Sequence, residues 1–178
     1  MEIILAENHG FCYGVKRAVE MANEAANNDG KSYTLGPIIH NPQVVGRLED
    51  KGVSPVQEVS DIAEGTMIIR SHGVGPAIYE EAEEKGLHIV DATCPYVKKA
   101  QQDAKSVIED DMTLVILGEK NHPEVKSINL WANNEGIIIE DEDSAQKLQV
   151  VEKMGVVVQT TFSQFKFNSI IDILEKKS

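Results

Sequence analysis

Seven residues carry the chemistry that this sequence can support, and two of them are its only cysteines. Cys12 lies between Gly10 and Gly14 in GFCYGV, and Cys94 precedes Pro95 in DATCP. Glycine permits the tight turns that present a thiol beside the free amides of a helix start, and proline suits the first helical turn. A helix start also favours the thiolate, the form that binds metal. The cysteines are far apart in sequence and neither belongs to a CxxC, which excludes a local zinc knuckle and leaves a long-range metal site open. Two thiolates alone do not complete a structural zinc site or a conventional iron–sulfur site, which usually take about four ligands. A disulfide and a pair of buried apolar thiols also stay open as readings.

His40, His72 and His122 stand in HNP, SHG and NHP, flanked by residues that shape loops. Their ring N–H groups can donate to phosphate oxygens and add charge when protonated. A single loop histidine is more often merely solvated, but three in equivalent positions favour a site. Glu124, just beyond Pro123, can enter the same cavity as a proton donor or relay. Thr160 and Thr161 end the VVVQTT run, where hydroxyls bond a ligand or cap the next helix; capping suits Thr161 better. His88, inside LHIVD, reads as structural, and His9 is left unassigned.

The elements that must position these residues alternate. Apolar runs predict strands at residues 2–6, 33–39, 66–71, 88–91, 112–117, 136–139 and 155–159, with helices between most of them. Helical spacing places Val15, Ala18, Val19, Ala22 and Ala26 on one face of a first helix from Gly14 to Asn27. It does the same for Val97, Ala100, Ala104, Val107 and Ile108 in a helix from Tyr96 to Glu109. Pro42 and Gly52 bracket another helix, and a last one runs from about Phe167 to Lys176. The alternation predicts an α/β architecture with largely parallel sheets. Cys12, His40, His72, Cys94, His122, Glu124 and Thr160 then fall just after strands and near helix starts, on the rim where parallel sheets bind ligands.

The chain has 178 residues, 42% of them hydrophobic, enough for a core shared by one large or two small domains. Its 17 Lys and Arg against 29 Asp and Glu leave a formal charge of −12, which disfavours nucleic acid and anionic membrane surfaces. An anionic ligand would have to be held by local groups such as histidines and helix N-termini. No run is long and apolar enough for a membrane span and no signal-peptide layout opens the chain, so a cytoplasmic location is expected.

Taken in order, GFCYGVKRA, IIHNPQVV, SHGV, DATCPYV, GEKNHPEV and QTT resemble the 4-hydroxy-3-methylbut-2-enyl diphosphate reductase (LytB) family over its N-terminal two-thirds, from Ile3 to about Gln164. The resemblance implies parallel-sheet βα lobes of a three-lobed trefoil around an oxygen-sensitive [4Fe-4S] cluster held by three cysteines. Cys12 and Cys94 match two of these metal ligands. It further implies that His40, His72, His122 and Thr160 bind the substrate diphosphate or its hydrogen-bond network, and that Glu124 delivers protons. The implied reaction is reductive removal of an allylic hydroxyl as water, giving isopentenyl and dimethylallyl diphosphates in the non-mevalonate isoprenoid pathway. The electron donor would be a protein such as ferredoxin or flavodoxin.

The expected organisation is an N-terminal strand and cluster loop (residues 1–13) that pairs with a third lobe, a first α/β lobe (14–95) and a second (96–178). The third lobe and third cysteine of the family are expected to be largely missing from the chain, leaving it inactive alone, as a fragment, a truncated product or half of a split protein. A non-catalytic diphosphate-binding module that has lost the cluster is the alternative. A zinc hydrolase using Cys, His and Glu is a weaker third reading.

Overall fold

The computed structural model describes residues 2–7, 9–27 and 30–177. Two separate parallel sheets form its frame. The first has the order β2-β1-β3-β4, from Val53–Val56, Ser32–Leu35, Thr66–Ile69 and His88–Asp91. The second has the order β6-β5-β7, from Ile137–Ile139, Thr113–Leu117 and Met154–Val158. Every pairing within both sheets is parallel. The predicted α/β architecture is thus what the chain adopts.

Alternating side chains explain why each sheet is covered on both faces. In β3, Ile68 joins Ala18 and Ala22 of α1 (Tyr13–Ala26) and Leu48 of α2 (Pro42–Glu49). Its neighbours Met67 and Ile69 point the other way, onto Ala82 of α3 (Pro76–Glu84). In β5, Leu114 and Ile116 meet α4 (Pro95–Glu109) and α5 (Pro123–Trp131) through Ala104 and Ile128. Val115 and Leu117 meet α6 (Glu142–Lys147) and α7 (Gln164–Leu174) through Ala145, Ile170 and Leu174. Ile68, Ile69, Ile116 and Leu117 are fully enclosed, and burying a side chain of that size contributes about 1.5–3 kcal/mol.

Helix boundaries follow local chemistry. Proline occupies the first turn of α2, α3, α4 and α5. Asn41 caps α2 by accepting from the Val44 amide, and Ser163 caps α7 by accepting from the Lys166 amide. Thr161, expected as that cap, instead accepts a hydrogen bond from Gln159 Nε2 at 2.9 Å.

Three other expectations are corrected. Residues 2–6 form no strand: a strand needs a partner edge, and this stretch belongs to neither sheet, leaving Ile3, Ile4 and Leu5 exposed. The strand expected over 33–39 is only Ser32–Leu35, because Gly36 turns left-handed at φ +71° and the chain leaves the sheet there. His88, read as a structural strand residue, is exposed at the start of the edge strand β4. The first predicted helix stops at Ala26, and the chain just beyond it at 28–29 lies outside the described residues.

Candidate functional site

Both cysteines sit at the N-cap positions of helices. Cys12 caps α1 and Cys94 caps α4, and neither side chain is spent on a capping hydrogen bond. Cys12 is exposed and Cys94 half-buried, and both are free thiols. The disulfide reading therefore lapses for this structure. The two helix starts press together: a Cβ on Gly14, in the first turn of α1, would stand 2.6 Å from Cys94 Sγ.

The turn that presents Cys94 is pinned at successive residues. The Ala92 amide donates to the Ile69 carbonyl at 3.0 Å and the Cys94 amide to the Ser71 carbonyl at 2.9 Å. The Thr93 amide donates to Asp91 Oδ1 at 2.9 Å, while Arg17 Nη1, from α1, donates to the Thr93 carbonyl at 3.1 Å. Asp91 Oδ2 accepts from Tyr79 Oη at 2.9 Å and pairs with Lys98 Nζ at 2.6 Å. Burial pushes the Asp91 carboxyl up, but the hydrogen bonds from Lys98, Thr93 and Tyr79 outweigh it and hold the group below its ordinary value. Partial burial, and then the neighbouring Asp91 carboxylate, push the half-buried Tyr79 phenol well above its ordinary range.

The three histidines of the loop motifs are brought into one stack. His40 lies against His72 with ring centroids 4.9 Å apart, and His122 meets His72 edge-on at 5.4 Å. His72, in the middle, has its pKa lowered to about 4, chiefly by burial and then by the charges of His40, Arg70 and His122. It is therefore neutral at pH 7, and its buried Nδ1 has no hydrogen-bond partner. His122 Nδ1 accepts from the Glu124 amide at 3.2 Å, which leaves Nε2 as the ring's donor.

Glu124 is buried, with 2% exposure, which is unusual for a glutamate. Both of its oxygens are matched to donors on Thr160: the amide reaches Oε1 at 2.6 Å and the hydroxyl reaches Oε2 at 2.9 Å. Gln159 buttresses that loop, accepting from the Glu119 amide through Oε1 at 2.9 Å.

A cleft of about 120 Å³ collects Cys12, Cys94, His72, His122, Glu124 and Thr160 along its walls, with Ser71 and Thr161 beside them. Of the seven residues singled out in the sequence, six line this one cleft, and His40 adjoins it through its contact with His72. The rim holds thiols at two helix starts, imidazole donors for an anion, and a buried carboxylate able to exchange a proton. Arg70 was not singled out. Its half-buried guanidinium adds a positive charge near His72 in a chain that is strongly acidic overall, and burial lowers its pKa. Its place directly before SHG was the available signal.

As to a metal group, two cysteines at helix N-termini facing one cleft suit a cluster's thiolate ligands. Among the described residues, however, no three His, Cys, Asp or Glu side chains are grouped to hold a metal ion. The fit thus extends to two ligands. The described helices include none long and apolar enough to cross a membrane.

Comparison with known proteins matches this arrangement to one family. A family model described as LytB protein matches residues 3–178. The 4-hydroxy-3-methylbut-2-enyl diphosphate reductase of Geotalea uraniireducens (strain Rf4) is 49% identical over 172 residues, covering 97% of this chain and 61% of the relative. That of Geobacter metallireducens is 50% identical over 163 residues, covering 92% and 58%. The structure of (E)-4-hydroxy-3-methyl-but-2-enyl diphosphate reductase, described as the terminal enzyme of the non-mevalonate pathway, superposes with a TM-score of 0.87 at 42% identity. It covers 98% of this chain and 64% of that one. The Plasmodium falciparum E-1-hydroxy-2-methyl-but-2-enyl-4-diphosphate reductase gives a TM-score of 0.90 at 31% identity, covering 96% and 55%. The chain spans about three-fifths of the length of the curated relatives it matches. With nearly all its residues matched by the family model and half of them identical to those of named relatives, the chain belongs to the LytB protein family.

Proposed function

We propose that this chain contributes the diphosphate-binding and proton-handling part of a 4-hydroxy-3-methylbut-2-enyl diphosphate reductase, together with two ligands of its iron–sulfur cluster. The observation that carries this reading is the convergence of both thiols, two of the stacked histidines and the Glu124–Thr160 pair on one small cleft. Thiolate ligands favour an iron–sulfur cluster, and such a group, when bound, supplies the reducing electrons and an open metal position for the substrate. Cys12 and Cys94 would hold it. These 178 residues have two cysteines, so any third thiolate comes from outside them, and the chain by itself would assemble a cluster weakly and turn over little or not at all.

The remaining roles belong to the chain's own side chains. Neutral His72 donates a hydrogen bond to a diphosphate oxygen without the repulsion that three adjacent imidazolium ions would suffer. His40 and His122, each in contact with His72, complete the anion contacts, with Arg70 adding positive charge nearby. Glu124 would pass a proton to the leaving hydroxyl, a role supported by the hydrogen bonds from Thr160 that fix its carboxyl plane. The electron donor would be a small redox protein such as ferredoxin or flavodoxin. Free thiols and an anionic metabolite suit the reducing cytoplasm. Residues 14–95 and 96–178 serve as two lobes, each built on one sheet.

The alternative, an anion-binding module without a cluster, keeps the histidines and Glu124 but assigns nothing to the thiols. Anaerobic reconstitution with iron and sulfide separates the two when the 178 residues are placed in a longer chain supplying a third cysteine. The reductase reading expects visible and EPR signals of a cluster that Cys12→Ser and Cys94→Ser each abolish. Diphosphate binding with no cluster signal would leave the module reading in its place.

A further inference from the structure

Helix α5 carries more of the site than its first turn. His122 caps it and Glu124 follows, while Ser127 and Trp131, one turn apart on the same face, reach to the loop after β3. Ser127 Oγ donates to the His72 carbonyl at 2.9 Å, and Trp131 Nε1 donates to the Val74 carbonyl at 2.9 Å. Ser127 Oγ in turn accepts from Gln101 Nε2 of α4 at 3.0 Å. Ser127 and Gln101 are buried, so the bond between them is made away from water, where leaving a partner unmet is costly; the bonds to the two carbonyls are part-buried.

The residue between the two held carbonyls is Gly73, with φ +72°. A Cβ there would stand 2.5 Å from Gln101 Nε2 and 3.0 Å from Thr93 Cγ2. The loop is therefore drawn so close to α4 and α5 that only glycine fits, in a conformation glycine favours. His72 depends on that anchoring. Its Nδ1 has no hydrogen-bond partner, so the loop backbone and the rings of His40 and His122 help to locate the ring.

We propose that Ser127 and Trp131 are positioning residues that hold His72 against His122 and Glu124, so that one helix sets the spacing between anion-binding groups contributed by the two sheets. The proposal rests on reading the histidine stack as a diphosphate site. Ser127 and Trp131 touch no ligand; they act through the carbonyls of His72 and Val74. The arrangement gives α5 both ends of a ruler, with catalytic groups at its start and loop anchors along its length.

The test uses the full chain with labelled histidines, reading the NOE between the His72 and His122 rings, and titrates inorganic pyrophosphate by calorimetry. Ser127→Ala is expected to weaken the ring-to-ring NOE and to lower pyrophosphate affinity about tenfold, equivalent to one lost buried hydrogen bond. Ser127→Thr, which keeps the hydroxyl, is expected to retain both. Trp131→Phe removes the N–H while keeping a ring against Tyr79, and gives the same result in milder form should Ser127→Ala fail to fold. Val107→Ala, which loosens the core around β5 away from the cleft, serves as a control that costs stability without moving either readout. An unchanged NOE in Ser127→Ala and Trp131→Phe overturns the proposal, as does an equal loss in Val107→Ala. If the wild-type chain binds no pyrophosphate, the diphosphate reading fails, while the NOE still decides whether Ser127 and Trp131 position His72.

Discussion

Thr160 engages both carboxylate oxygens of Glu124, its amide on one at 2.6 Å and its hydroxyl on the other at 2.9 Å. The pair joins the start of α5 to the loop after β7, two segments that follow the neighbouring parallel strands β5 and β7 at their carboxyl ends. A buried carboxylate held in a fixed plane is poised for directional proton transfer in a way that a solvated one is not.

Removing the Thr160 hydroxyl separates the two donors. Thr160→Ala leaves the amide bond and strips one buried oxygen of its partner, so unfolding free energy should fall by about 1–3 kcal/mol in chemical denaturation. Thr160→Ser should recover most of that. If alanine and serine behave alike, the hydroxyl is not what holds Glu124.

Gly14 tests the contact between the two thiol-bearing helix starts. Alanine within a helix is ordinarily favoured over glycine by about 1 kcal/mol. Here its Cβ would meet Cys94 Sγ at 2.6 Å, and relieving such overpacking costs about 1–3 kcal/mol. Gly14→Ala should therefore fail to stabilise the chain and should displace Cys94, lowering iron incorporation during anaerobic reconstitution of a longer chain that supplies a third cysteine. A more stable variant with normal iron uptake would show that the helix starts do not press together.

His72 should shape the acid limb of the stability curve. Its folded pKa, about 4, lies below the ordinary 6.5, so the unfolded chain binds more protons between those values. The stability associated with the neutral ring is complete above about pH 6.5 and is lost as the pH falls towards 4. His72→Gln should flatten that part of the curve relative to wild type, while carboxylate titration contributes similarly to both. Identical slopes would mean that His72 is not buried in its neutral form.

Much of this arrangement was legible because punctuation residues mark it. Pro42, Pro95 and Pro123 announce helix starts, and the reactive side chains follow strands as parallel topology requires. Strand β2 was missed because Pro55 interrupts VSPV, yet an edge strand tolerates a residue with no amide to donate, and β2 is the edge. The apolar stretch at 2–6 misled for the opposite reason: its pattern fits a strand, but pairing depends on a neighbour that local sequence does not describe. Side-chain reach was hidden in the same way. A glutamate is more often solvated than buried, and nothing near Glu124 in sequence announces Thr160. Ser127, Gln101 and Trp131 read as ordinary helix residues until the β3 loop is laid against them.

Diphosphate binding in the cleft beside the histidine stack is the proposal on which the other assigned roles depend. Titrating inorganic pyrophosphate into the chain while following histidine ring and backbone amide shifts tests it directly. Saturable binding is expected, with the largest changes at His40, His72 and His122 and at the Thr160 amide, and an affinity reduced about tenfold or more by His72→Ala. Saturable binding centred elsewhere, or an affinity unaffected by His72→Ala, would contradict it.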